Sequence, residues 1–484
     1  MPNYVTSVGM EVHAELSTKS KMFCRCQVAF GGEPNTRTCP VCLALPGSLP
    51  VPNREAIEMV IKTALALNCK IGGTKEESIF HRKNYFYPDI PKGYQTTQYG
   101  EENPFGYHGY LEIPTPEGGT KRIGIRRIHL EEDTGKLMHL PSGGSGIDYN
   151  RAGTPLMEIV TDFPPDIHNG EEAKEYLSQL RQILMYLGVC DGKMEEGSLR
   201  CEPNISIAPE GAKELGVKSE LKNLNSFRSV QMGIAFESRR QEAAIENGET
   251  LLQETRGWNE QKESSFAMRI KEAENDYRYF PCPDLVPMSF TPEYIAELKA
   301  NLPELPLGKF QRYTQEYGLS AYDANLLISE REWAYWFEEA IAKGGDPKAI
   351  CNWMNSDFAK MLNEEGITSR QSKVTPDHLV ELVKLIEDGT ISGKIAKTIF
   401  AKAYQTGQMP RQLVEESGAT QITDTGAIRA QVQGVLDANP DVVAKYKSGN
   451  MGVKGFLVGQ IMKATQGRAN PGIVQQLLDE LLSS

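Results

Sequence analysis

The chain has 484 residues, of which 24% are charged, and a formal net charge of -12 at pH 7. A chain of this length exceeds what one hydrophobic core usually organises, so we expect roughly two to four domains. The acidic balance excludes a protein coated in basic surface for nucleic acid, although it is compatible with a local basic patch. No apolar run of about eighteen residues occurs and the first residues lead directly into a strand-like pattern, so we expect no membrane span or signal peptide and a cytoplasmic location.

The first predicted element is a strand over residues 8–16, in which polar and apolar residues alternate. Successive side chains of a strand point to opposite faces, so Glu11, His13 and Glu15 are expected to share one face while Met10 and Val12 point into a core. The polar face is a candidate metal site. The alternative is a solvated surface, because charged side chains on exposed strand faces are common.

Four cysteines follow within nineteen residues, at Cys24, Cys26, Cys39 and Cys42. Their close pairing is typical of a structural zinc site with four thiolates, and a redox dithiol pair is the alternative. Structural zinc sites are closed, so we expect the ion to hold a loop and to take no part in catalysis. The chain has nine cysteines, too few and too clustered for a secreted disulfide framework.

Short alternating runs separated by glycine and proline dominate the chain up to about residue 290. Two segments instead show helical periodicity. This mixture predicts an α+β domain over 1–290 with a substantial, mainly antiparallel sheet. The predicted strands include 109–113, 120–128, 156–160 and 204–208, and the predicted helices are 54–67 and 170–187.

From Thr291 onward the sequence is helical, and the Thr-Pro pairs at Thr291 and Thr375 are typical of helix N-termini. We predict a helical domain over 291–406 and a helical tail over 407–484. Between residues 442 and 478 the tail has five cations and no acidic residue, which favours contact with a phosphate backbone, although solvated lysine faces are also common. These cations are Lys445, Lys447, Lys454, Lys463 and Arg468.

Two further segments carry carboxylates in or beside predicted strands. Glu131, Glu132 and Asp133 are adjacent, and Glu158 lies inside an apolar run. An unpaired buried carboxylate is costly, so Glu158 should face a cation, a metal ion or water. Three carboxylate-bearing segments with one histidine suit a hard cation such as magnesium, and a surface salt bridge is the alternative for each segment.

Four cations stand in runs that also carry amides, hydroxyls or aromatic rings: Lys83, Arg200, Lys222 and Arg278. Such runs can clamp a nucleotide triphosphate and stack its base, although aromatic rings beside arginine are equally often surface packing. A phosphate-binding loop of the Gly-x-x-x-x-Gly-Lys-Ser/Thr type is missing from the sequence, which excludes the corresponding class of ATPase. No nucleophile signature for a covalent acyl-enzyme stands out either.

Taken in order, these motifs strongly resemble the B-subunit family of bacterial-type aspartyl/glutamyl-tRNA amidotransferases. The resemblance covers essentially the whole chain and lies in segments 9–16, 82–89, 129–136, 150–160, 194–201, 221–227, 276–281 and 455–465. It implies a cradle domain with a sheet similar to that of glutamine synthetase, then a helical domain and a YqeY-like tail that contact tRNA. Segment 447–454 departs from the family's denser run of glycine and lysine.

The resemblance also implies an activity. The family's B subunit uses ATP and magnesium to phosphorylate the side-chain carboxylate of glutamate or aspartate misacylated onto tRNA(Gln) or tRNA(Asn). Ammonia that the A subunit, an amidase, makes from glutamine then displaces the phosphate, and a small C subunit binds the other two, which gives a heterotrimer. Two other functions remain open on the residues alone: a non-catalytic tRNA-binding scaffold and a small-molecule amide ligase.

By position, the family's magnesium ligands correspond to His13, Glu132 and Glu158, with Glu11 as a fourth candidate, and Glu15 falls outside the ligand set. The zinc ligands of those members that have them correspond to the four cysteines. Lys83, Arg200, Lys222 and Arg278 are expected to contact ATP, and this expectation rests on residue type alone.

Overall fold

The structure, a computed structural model, describes residues 3–116, 119–140, 143–270, 277–418, 425–448, 450–465 and 469–483. Of the residues in the segments singled out from the sequence, Asp276, Gly449 and Arg468 lie outside these ranges. The chain divides into two compact units, Met1–Pro306 and Leu307–Ser484. None of the helices in the described ranges is long and apolar enough to cross a membrane.

Within the described residues, the first unit combines strands with α-helices. The strands are β1 (Tyr4–Glu15), β2 (Lys70–Ile71), β3 (His81–Asn84), β4 (Tyr94–Thr97), β5 (Gly106–Pro114), β6 (Thr120–Glu132), β7 (Lys136–His139), β8 (Ser145–Asp148), β9 (Pro155–Thr161), β10 (Leu199–Pro209), β11 (Ser219–Lys222), β12 (Glu254–Asn259), β13 (Ser264–Ile270) and β14 (Phe280–Pro281). The helices are α1 (Arg54–Ala66), α2 (Gly170–Leu187), α3 (Phe227–Glu246) and α4 (Pro292–Ala300).

A nine-stranded sheet with the order β13-β12-β11-β10-β1-β9-β6-β5-β2 organises this unit. Its strand pairs are antiparallel except for β11 and β12, which run parallel. Two small sheets join β14, β3 and β4, and β7 and β8. The predicted α+β class with a mainly antiparallel sheet is therefore confirmed.

The helices cover one face of the large sheet. On β1 the side chains of Met10, Val12 and Ala14 are fully buried in the same hydrophobic core as apolar residues of α1 and α2. Helix α2 has the predicted bounds, because the Asn169 side chain accepts a hydrogen bond at its start and Gly188 ends it in the left-handed conformation. The opposite face of the sheet carries the polar residues of β1 and remains open.

The second unit is helical. Its helices are α5 (Pro306–Gln315), α6 (Ala321–Ile328), α7 (Arg331–Ala342), α8 (Pro347–Trp353), α9 (Ala359–Glu365), α10 (Pro376–Glu387), α11 (Gly393–Thr406), α12 (Pro410–Ser417), α13 (Thr425–Ala438), α14 (Pro440–Lys447), α15 (Lys454–Ala464) and α16 (Pro471–Ser483), with a π-helical turn at Met354–Phe358 and a 3-10 turn at Met451–Val453.

Packing groups helix α4 and helix α12 with the elements that precede them. Helix α4 belongs to the first unit, because Leu298 is buried in its core and the Tyr294 hydroxyl donates to Glu58 over 2.8 Å. Helix α12 belongs to the first helical core, where Leu413 and Val414 are buried. A separate core begins only with Ile428 of α13.

Candidate active site

Strand register brings four residues of distant sequence segments into one row across the open face of the sheet. Glu158 on β9 lies opposite both His13 on β1 and His129 on β6, and His13 lies opposite Arg200 on β10. Directly opposed residues of antiparallel strands have Cβ atoms about 5 Å apart, so their side chains touch. The predicted pairing of His13 with Glu158 is therefore a direct consequence of register.

The centre of this row is a cluster of His13, Glu131 and Glu158, whose possible metal-binding atoms lie within 4.8 Å of one another. The Nε2 atom of His13 lies 3.6 Å from a Glu158 oxygen and 3.9 Å from a Glu131 oxygen. The Nε2 atom of His129 lies 2.9 Å from Glu158 and 3.5 Å from Glu131. Two histidines thus face two carboxylates in a largely buried position.

The charges of this cluster shift the protonation of its members. Burial opposes a charge on His13, but the charge and hydrogen bond of Glu158, together with Glu131, outweigh burial and raise the pKa of His13 to about 9. Burial likewise opposes a charge on Glu158, and the two histidines hold the pKa of that carboxyl well below its ordinary value. The cluster therefore favours a positive charge between the carboxylates.

Glu132, which the resemblance assigns to the magnesium site, does not join this cluster. Neighbouring residues of a strand point to opposite faces, so Glu131 faces the open side of β6 and Glu132 the other. There the Glu132 carboxylate pairs with Lys92 and accepts a hydrogen bond from the Thr96 backbone over 3.0 Å. Glu131 occupies the place expected for Glu132.

Glu11 lies in a second group of carboxylates, with Glu202 and Glu220, whose oxygens also lie within 4.8 Å of one another. Glu11 and Glu202 are opposed across β1 and β10. The Lys222 ammonium lies 2.6 Å from Glu202 and 3.5 Å from Glu220. Glu11 is thus a neighbour of the His13 cluster rather than a member of it.

Three of the four predicted ATP-contacting cations line the same cavity as these carboxylates: Lys83, Arg200 and Lys222. Arg200 is held by Asp133 over 2.6 Å. Arg278 is exposed and does not line the cavity, because its neighbours Tyr277 and Tyr279 turn their rings inward instead. Glu15 lies beside Asp133, and burial together with the charge of that carboxylate raises the pKa of Glu15 to about 7.

The cavity has a volume of about 1160 Å³ and spans the open face from β11 to the small sheet of β3, β4 and β14. Polar side chains from β1, β6, β9, β10 and β11 form its floor, and three tyrosines line one side. Its size is sufficient for a nucleotide and part of a second substrate.

The four cysteines meet in one place, with all four sulfur atoms within 4.8 Å of one another. The Sγ atom of Cys42 lies 4.0 Å from that of Cys26 and 3.9 Å from that of Cys39. Disulfides require about 2.05 Å, whereas a tetrahedral ion with bonds of about 2.3 Å separates its sulfurs by about 3.8 Å. The donor set therefore fits a four-thiolate metal site.

The fold and the site together define a protein with an α+β unit that carries a large polar cavity, followed by a helical unit. Residues 6–296 match the family described as the GatB/GatE catalytic domain, and residues 335–482 match the family described as the GatB domain. The chain is 50% identical to the B subunit of the aspartyl/glutamyl-tRNA(Asn/Gln) amidotransferase of Brevibacillus brevis, with 100% of both chains covered.

Two further relatives with the same description support this result. The proteins of Thermodesulfovibrio yellowstonii and Clostridium tetani are 50% and 48% identical to the chain and cover 99% of it, over 99% and 98% of their own lengths. The chain belongs to the family of aspartyl/glutamyl-tRNA(Asn/Gln) amidotransferase B subunits, which confirms the resemblance found in its motifs.

Several residues of the site were not predicted, chiefly His129, Glu202 and Glu220, and Glu131 was named only as part of a carboxylate-bearing segment. Alternation along β6 contains the signal for two of them, because His129 and Glu131 are two residues apart and share a face. Glu202 and Glu220 carry no such signal. They reach Glu11 only through the register of β1, β10 and β11.

Proposed function

We propose that this chain uses ATP to phosphorylate the side-chain carboxylate of glutamate or aspartate misacylated onto tRNA(Gln) or tRNA(Asn). The oxygen of the substrate carboxylate forms a bond to the γ-phosphorus of ATP, the bond to the β-phosphate oxygen breaks, and ADP leaves. Ammonia then attacks the carbonyl carbon, phosphate leaves, a proton is lost, and the product is Gln-tRNA(Gln) or Asn-tRNA(Asn). A free carboxylate is a poor electrophile, which is why the first step is needed.

The observation that carries this proposal is the cluster of His13, Glu131 and Glu158 on the floor of a large polar cavity. One imidazole and two carboxylates are a suitable donor set for magnesium, which retains waters for substrate phosphates. When bound, magnesium offsets negative charge on the transferring phosphoryl group. Glu11, beside Glu202 and Glu220, belongs in this proposal to a neighbouring carboxylate group.

The chain's own cations then have distinct positions. Burial opposes a charge on Lys83, but Glu131, Tyr279 and Glu158 outweigh burial and raise the pKa of Lys83, so this lysine brings a positive charge to the carboxylate site. Asp133 fixes the direction of Arg200, and Glu202 fixes that of Lys222. We propose that Lys83, Arg200 and Lys222 orient the phosphates of ATP.

The wider assembly is part of the same proposal. The relatives are named as the B subunit of their enzyme, and this name implies an enzyme of several subunits. We propose an amidase as the A subunit, which supplies ammonia from glutamine, a small C subunit, and zinc at the four cysteines as a structural ion. A cytoplasmic location follows from the use of aminoacyl-tRNA in translation and remains a prediction.

The test uses the purified three-subunit complex with ATP, magnesium, glutamine and each misacylated tRNA in turn, and identifies the amino acid on the tRNA product. Wild-type complex should form the amide, and Glu158→Gln should abolish its formation while the complex remains assembled. Glu112→Gln on β5, outside the cavity, is the matched control and should retain activity.

The alternatives give different results in that assay. A non-catalytic scaffold shows no ATP hydrolysis that depends on magnesium and misacylated tRNA. A small-molecule amide ligase hydrolyses ATP without any tRNA. Full activity of the Glu158→Gln complex would contradict the proposed role of the carboxylate cluster.

A further inference from the structure

A group of five tyrosines stands beside the carboxylate site, and we call it the tyrosine cluster. The rings of Tyr99 and Tyr279 are stacked, with centroids 4.1 Å apart and planes 10° from parallel. The ring of Tyr277 forms edge-to-face pairs with Tyr279 and Tyr85, with centroids 6.2 Å and 6.4 Å apart. The cluster comprises Tyr85, Tyr87, Tyr99, Tyr277 and Tyr279.

Backbone contacts hold these rings in place. Strand β14 pairs with β3, and the Asn84 side chain donates to the carbonyl of Tyr277 over 3.1 Å and to that of Arg278 over 2.8 Å. The Thr97 hydroxyl, two residues before Tyr99, donates to Glu131 over 3.2 Å. The small sheet of β14, β3 and β4 therefore fixes the tyrosine cluster relative to the carboxylates.

Only part of the cluster opens into the cavity. Tyr99, Tyr277 and Tyr279 line it, whereas Tyr85 and Tyr87 do not. Tyr99 nevertheless remains 50% exposed, and Tyr87 is 49% exposed. A large apolar ring that stays half in water beside a polar cavity offers a flat face to a planar ligand.

Lys83 links the tyrosines to the chemistry. Its ammonium lies 5.0 Å from the centre of the Tyr277 ring, and it lines the same cavity as Glu131 and Glu158. A ligand with a reacting carboxylate at one end and a planar ring at the other can therefore reach both the His13 cluster and the tyrosines across one lysine side chain.

We propose that Tyr99, Tyr277 and Tyr279 stack the unpaired nucleobases at the 3′ end of the aminoacyl-tRNA. This inference rests on the proposed function, because it takes the reacting carboxylate to belong to an amino acid esterified to that terminal nucleotide. Stacking on aromatic side chains accepts any base and suits a single strand. Arg127, which lines the same cavity from β6, supplies positive charge for the phosphates of the tRNA end.

ATP is the other source of a nucleobase, and the charges of the cavity place it elsewhere. Glu11, Glu202 and Glu220 lie close together on β1, β10 and β11. These strands lie on one side of β9 in the sheet, and β6 lies on the other side. Strand β4, which precedes Tyr99, packs against β6. A magnesium nucleotide brings its own cation to such a group of carboxylates, and Lys218 and Lys222 line the cavity there. A tRNA end brings none and suits the other side, where Arg127 lines the cavity.

The test measures KM for misacylated tRNA and KM for ATP in the three-subunit complex carrying Tyr99→Ala, Tyr99→Phe or Tyr87→Ala. Loss of one stacking contact should raise KM for tRNA about tenfold in Tyr99→Ala and leave KM for ATP unchanged. Tyr99→Phe keeps the ring and should behave as wild type. Tyr87→Ala removes an equally exposed ring outside the cavity and should leave both constants unchanged.

A second substrate sharpens the result. With a tRNA whose 3′-terminal nucleotide lacks its base, wild-type complex should lose affinity and Tyr99→Ala should lose nothing further, because the two partners of one contact are then both absent. A rise in KM for ATP instead would overturn the proposal in favour of the adenine of ATP. Unchanged constants in Tyr99→Ala would also overturn it, whereas a wild-type complex without amidation would contradict the proposed function itself.

Discussion

Glu131 and Glu132 are neighbours in sequence, yet the strand gives them different surroundings. Glu131 shares the open face with His13 and Glu158, whereas Glu132 pairs with Lys92 on the other side of β6. A strand turns each successive side chain by half a revolution, so an assignment shifted by one residue exchanges a ligand for a residue of the opposite face.

Glu131→Gln and Glu132→Gln should therefore differ in their magnesium dependence. Replacing a carboxylate ligand weakens metal binding, so Glu131→Gln should raise the magnesium concentration for half-maximal tRNA-dependent ATP hydrolysis by about tenfold or more. Glu132→Gln should leave that concentration unchanged. The measurement is a magnesium titration of ATP hydrolysis, and the reverse order of the two variants would restore Glu132 as the ligand.

At the scale of elements, the loop that carries the four cysteines is fixed before its first cysteine and again between its two cysteine pairs. The Met22 backbone donates to Gly153, and the Asn35 side chain donates to the carbonyl of Ile147 over 2.9 Å. Cys42 is buried beside β6, and with Glu132 it lines a small cavity of about 270 Å³. A structural ion in this loop would therefore support the side of β6 that faces away from the large cavity.

The purified chain should contain one zinc ion, and Cys42→Ser should lose it. Zinc in a closed site stabilises the fold directly, so loss of the ion should also lower the melting temperature of the complex. Cys69→Ser, outside the quartet, should keep the full zinc content. Elemental analysis and thermal unfolding measure both effects, and full zinc content in Cys42→Ser would contradict the assignment.

On the scale of the whole molecule, three hydrophobic cores account for the described parts of the chain, one in the first unit and two in the second. We propose that these cores correspond to three domains. The second of them includes α12, so we propose that the last domain begins after Gly418, whereas the sequence predicted residue 407. Of the cations predicted to meet tRNA, Lys454 pairs with Asp479 over 2.6 Å.

Two truncations test this division. A chain that ends at Gly418 keeps the first two hydrophobic cores intact. A chain that ends at Thr406 loses the buried Leu413 and Val414, so it should have a lower melting temperature than the chain that ends at Gly418. Both should raise KM for misacylated tRNA in the assembled complex. Equal melting temperatures would contradict the boundary, and an unchanged KM would contradict a role of the last domain in tRNA binding.

The sequence by itself determined the fold class and several of the elements. Alternation predicted the faces of β1, periodicity and capping predicted α2 to the residue, and the cysteine spacing predicted the quartet. These features depend on residues close together in the chain, where backbone geometry and side-chain type suffice. The ordered motifs also identified the family.

Only the tertiary structure decided which distant residues meet. The register of β1 against β9 and β10 places Glu158 and Arg200 beside His13, and nothing local in any of these segments encodes that register. The face of Glu131, the partnership of Glu132 with Lys92 and the place of α12 likewise depend on packing between elements. A site assembled from several strands is fixed by how the strands pair, which is a property of the whole sheet.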